Sequence, residues 1–186
     1  MDTKKGYPGL VSRWKKLRLE VNKLTGELKA QRELTEEFAA SGEYEYYLQL
    51  KALYESEEWP YVYDRVLAAL EKGRGWSADS MYTKLLIEEK ETARLLEYVK
   101  RHPGSIVDYY KHLIRQHPSE VYQLFENYIE SAARHASNRN QYKQVCQLIR
   151  KLLKAGGEQQ AERIVEGLRQ CYPNRPAFLD ELGQIN

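Results

Sequence analysis

The sequence predicts an all-α fold: an α-solenoid, or TPR-like stack of antiparallel helix hairpins, behind one long N-terminal helix. Three observations lead there. Apolar residues recur at helical spacing almost throughout, and strand alternation is nearly absent. The first forty residues carry a heptad seam. Beyond them, glycine, proline and asparagine interrupt the helical pattern at intervals that suit pairs of short helices.

The seam consists of Leu10, Trp14, Leu17, Val21, Leu24 and Leu28, spaced alternately by four and three residues. Gln31, Thr35 and Phe38 continue its register. Glycine accepts the backbone angles of a helix stop, so Ser41-Gly42 ends the pattern. One helix is therefore expected over residues 10–40, within an N-terminal segment 1–41. Its seam either packs on the rest of the chain or pairs with a second copy, giving a homodimer.

Residues 42–186 are expected to form the hairpin domain, with pairs starting near 43, 77, 105 and 138. Tyr44, Tyr47, Leu48, Leu50, Leu53 and Tyr54 mark the first helix. Proline is tolerated in a first turn, so Trp59-Pro60 opens the next, which carries Tyr63, Val66, Leu67 and Leu70. Gly73 and Gly75 close that pair. Ser77 or Asp79 caps a helix holding Tyr82, Leu85 and Leu86, and its partner from about Glu91 carries Leu95, Leu96 and Val99. His102-Pro103-Gly104 stops the chain, and Ser105 caps a helix with Ile106, Tyr110 and Leu113. His117-Pro118 leads into the cleanest amphipathic stripe, Val121, Leu124, Phe125, Tyr128, Ile129, Ala132 and Ala133. Asn138 or Asn140 restarts a helix with Val145, Leu148, Ile149 and Leu152, and Gly156-Gly157 ends it. Ala161, Ile164, Val165 and Leu168 follow, then a short closing helix with Phe178, Leu179 and Leu182. A strict tetratricopeptide signature is absent.

Composition fits this plan. Hydrophobic residues make up 42% of the 186, enough for a core, and charged residues 30%, above the usual quarter, which suits solvated helix faces. The net charge of +2, from 29 basic and 27 acidic residues, argues against a dedicated nucleic-acid clamp. No apolar run reaches membrane-spanning length. The opening MDTKKGYPG lacks the apolar core of a signal peptide, so a cytoplasmic location is expected.

Chemistry-bearing residues are sparse. Cys146 shares an apolar stripe with Tyr142, Ile149 and Leu153 and reads as a small buried hydrophobe; Cys171 has no histidine at ligand spacing. His102 and His117 precede prolines at helix ends, where an imidazole can bond terminal carbonyls. Asp108 and His112 share a helix face, with no nucleophile at a matching position. The glutamate clusters at 36–37, 55–58 and 88–91 read as solvated surface. No catalytic residue, cofactor or metal site is expected, and the chain is not expected to be an enzyme. Tyrosine is abundant, fifteen residues against three phenylalanines, and suits gaps between helices with its hydroxyl at a wet edge.

One basic stripe stands out. Arg139, Lys143, Arg150 and Lys154 fall on one face of the predicted helix 139–155, opposite Val145 and Leu152, and could contact a partner or track phosphates. Lys4, Lys5, Arg13, Lys15, Lys16 and Arg18 form a second basic cluster.

The C-terminal half adds a resemblance. Ala-Ser-Asn-Arg at 136–139, Tyr-Lys-Gln-Val-Cys at 142–146, Leu-Ile-Arg-Lys-Leu at 148–152, Lys-Ala-Gly-Gly at 154–157 and the run Tyr-Pro-Asn-Arg-Pro-Ala-Phe-Leu-Asp-Glu-Leu at 172–182 are similar to the C-terminal region of bacterial SWIM zinc-finger proteins. The family's Cys-x-Cys and Cys-x-His motif is absent, and no zinc ligand carries over. The resemblance implies the helical C-terminal part of a larger protein. The helical stack is expected to make protein–protein contacts, with nucleic acid as a further partner through the stripe or through a finger outside this sequence.

Overall fold

The computed structural model describes residues 8–73 and 75–185. Among these it is all-α: eleven α-helices, one 3-10 turn and no strand. The helices are α1 (Pro8–Thr25), α2 (Leu28–Ala40), α3 (Tyr44–Ala52), α4 (Trp59–Lys72), α5 (Trp76–Glu88), α6 (Thr92–Arg101), α7 (Ile106–Leu113), α8 (Pro118–His135), α9 (Arg139–Lys154), α10 (Glu158–Cys171) and α11 (Pro176–Leu182). The chain divides into two compact units, Met1–Leu85 and Leu86–Asn186, each with its own packing.

The expected single helix over residues 10–40 is two helices. Gly26 takes φ +73°, and the Glu27 amide donates back to the Asn22 carbonyl at 3.0 Å, closing α1 before α2 begins. This break splits the heptad register into two surfaces. Thr35 and Phe38 are buried in the first unit, while the seam residues of α1 face solvent.

Within the first unit α2 is the hub, packing on α1, α3 and α4. Its end is a Schellman motif. The Gly42 amide donates to Ala39 at 3.0 Å and the Glu43 amide to Phe38 at 3.2 Å, with Gly42 at φ +95°. Phe38, Tyr47, Leu50, Val62, Val66, Leu70 and Leu85 make the core. Arg32 closes α3: its Nε and Nη2 donate to the Leu53 carbonyl at 2.9 and 2.7 Å while its guanidinium lies 3.9 Å from the centre of the Tyr54 ring. Arg65 grips Glu36 through two parallel bonds of 2.8 and 2.7 Å, which raises its pKa further above the ordinary range.

In the second unit consecutive helices pack on one another, with α9 touching α8, α10 and α11. Val121, Phe125, Ile129 and Ala133 of α8 are fully buried, as are Ile149 and Leu152 of α9. Tyr110 meets Phe125 edge-on at 5.6 Å. Asn138 caps α9 as expected, its side-chain oxygen accepting from the Gln141 amide at 3.1 Å. Gly156-Gly157 closes α9 through amide bonds to Leu153 and Leu152, and the Tyr122 hydroxyl donates to the Gly156 carbonyl at 3.1 Å. The Phe178 ring stacks on Tyr142 at 4.7 Å and seats α11.

Candidate functional site

Two of the surfaces singled out in the sequence hold different positions in the fold. The basic stripe lies on α9, but half of it is engaged within the second unit. Arg139 donates to Glu181 at 2.7 Å and also to Asp180, both on α11. These carboxylates hold its pKa above the usual arginine range. Arg150 donates to the Gln184 carbonyl at 3.2 Å. Lys143 and Lys154 are exposed. Neighbouring Lys151 reaches the Val107 carbonyl at 3.4 Å.

Among the described residues Glu181 is the only buried charged one, with its side chain only 5% exposed. A buried carboxylate needs its partner. Arg139→Ala is therefore expected to lower the melting temperature by several degrees, whereas Lys143→Ala leaves it unchanged. A thermal scan of the two variants checks this, and equal values would assign Arg139 no structural role.

The second surface is the seam. In α1, Leu10, Trp14, Leu17, Val21 and Leu24 are 54, 65, 52, 56 and 88% exposed, and Leu28 just beyond is 46% exposed. The opposite side of α1 faces the unit. Leu19 is fully buried and Asn22 nearly so. Lys16 donates to Glu43 at 2.7 Å, which raises its pKa, and its ammonium sits 5.4 and 5.3 Å from the Phe38 and Tyr46 rings. Lys15 pairs with Glu37. Lysines counted in the N-terminal basic cluster thus serve to hold α1 in place, and Lys4 and Lys5 lie outside the described residues. A hollow of about 530 Å³ runs beside Leu17, lined also by Arg13, Lys16, Glu20 and Tyr46.

A groove of about 590 Å³ follows α10, where Leu153, Ala161, Val165 and Ile185 supply apolar wall and Glu158, Glu162, Glu166 and Arg169 supply charge. Its acidic residues are spaced along one helix and converge with no histidine or cysteine. Among the described residues, no group of three or more His, Cys, Asp or Glu could hold a metal ion, and no helix is long and apolar enough to cross a membrane.

Both cysteines are free thiols. Burial pushes the Cys146 thiol up to about 11, so it stays protonated at neutral pH, while Cys171 is exposed. The carbonyl-bonding histidine is His135, whose Nδ1 lies 2.7 Å from the Ser131 oxygen; His102 instead lies against the Tyr98 ring at 4.5 Å. Asp108 and His112 are both exposed.

Sequence reasoning missed Arg175. Its Nη1 donates to the Ala133 and Ala136 carbonyls at 3.3 and 2.9 Å, satisfying the end of α8, while its guanidinium covers Tyr172 at 4.2 Å. An arginine bracketed by Pro173 and Pro176 in a helix-to-helix turn was the available signal. No protein-family model, no curated protein and no solved structure matches the chain.

Proposed function

We propose that this chain is a non-catalytic interaction module, a TPR-like α-solenoid that makes protein–protein contacts as the C-terminal part of a larger SWIM zinc-finger protein. The observation that carries the contact role is the exposed seam of α1. A contiguous apolar face on a monomer's surface marks an interaction site more often than it marks chance. The inner side of the same helix is pinned by Leu19 and by the Lys15 and Lys16 ion pairs, so α1 holds its seam outward.

The nucleic-acid reading of the α9 stripe draws on Lys143 and Lys154, because Arg139 and Arg150 are occupied by α11 and the residues after it. Two exposed lysines supply a small phosphate-binding term. The seam is the stronger ground.

A pull-down with the whole chain as bait tests this, run beside Leu17→Asp. The substitution adds charge at an exposed position and leaves the core intact. A defined protein captured by the native bait and lost with Leu17→Asp is the expected result. Identical captures from both baits, or none from either, count against the reading.

A further inference from the structure

We propose that the α1 seam is the interface of a homodimer in which two copies of α1 lie antiparallel. This rests on the reading of the seam as a contact surface and names its occupant. The seam's 3.5-residue period matches a second helix of the same period, whereas an irregular partner has no need of it. A two-fold pair satisfies this with one surface and closes on itself.

Charge selects the orientation. With Leu10, Leu17 and Leu24 as one seam column and Trp14 and Val21 as the other, the flanking residues are Arg13 and Glu20 on one side and Val11 and Arg18 on the other. A parallel pair sets Arg13 against Arg18 of the second copy, twice, which is repulsive. An antiparallel pair with its two-fold between residues 15 and 16 sets Leu10 against Val21 and Trp14 against Leu17. In that register Arg13 meets Glu20 of the second copy, also twice. Val11 then meets Arg18, whose aliphatic stem can cover it. The next antiparallel register, centred on Leu19, brings Arg18 onto Arg18 and Glu20 onto Glu20. Only the first arrangement opposes unlike charges without like ones, and it also overlaps nearly the whole of α1.

The hollow lined by Arg13, Leu17 and Glu20 lies along the flank where the two Arg13–Glu20 pairs form, giving the second helix room to settle. Glu20 already accepts from Lys23 at 2.8 Å, and a carboxylate has capacity for a second donor. The four seam residues inside the overlap are 52 to 65% exposed. Covering them on both chains removes on the order of 1,000 Å² from water, the lower bound for a specific interface. An interface of this size makes a dimer whose population depends on concentration.

Sedimentation velocity of the whole chain over a concentration series tests this. A monomer-to-dimer shift in the native chain is expected, abolished by Val21→Asp with the helical circular dichroism unchanged. Arg13→Glu should weaken the dimer at least tenfold, and the charge swap Arg13→Glu with Glu20→Arg should restore it. A native chain that stays monomeric overturns the proposal, and so does a dimer indifferent to Val21→Asp or one the charge swap fails to rescue. Flotation with neutral and anionic vesicles runs alongside. A monomer that floats through α1 assigns the seam to a lipid surface instead. A monomer that still captures a protein in a seam-dependent way overturns the dimer and leaves the interaction reading standing.

Discussion

Phe178→Ala should lower the urea midpoint of the second unit by about 2 M, reflecting a loss of about 3–5 kcal/mol. The ring is completely buried. It stacks on Tyr142 at 4.7 Å with only 16° between planes, and Tyr172 approaches it at 5.9 Å. Removing it opens a cavity between α9 and α11 and deletes ring contacts worth about 0.5–1.5 kcal/mol beyond the buried area. α11 runs from Pro176 to Leu182, too short to persist without tertiary anchors. Its other anchors are Leu182, fully buried, and Glu181 with Arg139. Phe178→Leu, which keeps most of the volume, should cost less than half as much. A loss below about 1.5 kcal/mol for the alanine variant would mean that α11 closes the unit without its aromatic anchor.

Gly42→Ala should cost about 2–4 kcal/mol in the first unit, whereas Gly26→Ala should cost about 1 kcal/mol. Both glycines hold left-handed angles at the end of a helix, φ +95° and φ +73°. The backbone penalty is therefore shared. The surroundings differ. A Cβ on Gly42 would stand 2.5 Å from the Ser77 hydroxyl oxygen, 3.0 Å from its carbonyl oxygen and 3.1 Å from its carbonyl carbon. A side-chain hydroxyl can rotate away, but the carbonyl belongs to the first turn of α5 and cannot. Around Gly26 nothing lies within 4 Å. Urea melts of the two variants give the comparison directly. Equal losses would show that the α5 backbone yields, and that only the left-handed angle matters at position 42.

Most helix boundaries were legible because they rest on local chemistry. Pro60, Pro118 and Pro176 each sit in a first turn, and Asn138 caps α9 through its own side chain. Gly42 and Gly156 both take the left-handed angle a helix end asks for. The break at Gly26 was hidden by the neighbouring leucines. Leu24 and Leu28 keep the four-residue step across it, and an isolated glycine inside a helical pattern costs only about 1 kcal/mol, so spacing outweighed it. Lys90, at φ 59°, ends α5 without any glycine to announce it.

The candidate site was legible as a pattern and not as a location. Six apolar residues at heptad spacing say that one face of a helix is apolar. Whether that face looks inward depends on the other side of the helix, where Leu19 is buried, Lys15 and Lys16 meet Glu37 and Glu43, and Lys16 also lies over the Phe38 ring. Those contacts join residues far apart in sequence. The engagement of Arg139 within the α9 stripe was hidden for the same reason: the carboxylates that meet it come from α11, 41 and 42 residues on.

That separation has a consequence in time. Arg139 waits for Glu181 across 42 residues, and the Ala133 carbonyl waits for Arg175 across 42 as well. At ribosomal speeds of about 5–20 residues per second, the gap lasts about 2–8 s. During it the inner face of α9 around Tyr142 lacks its cover, and the last carbonyls of α8 have water for a partner. Helices form far faster than this, so α8 and α9 can pair while α11 is still being made. The newborn chain therefore carries a wet apolar strip on α9 for seconds, closed only when the Phe178 ring arrives.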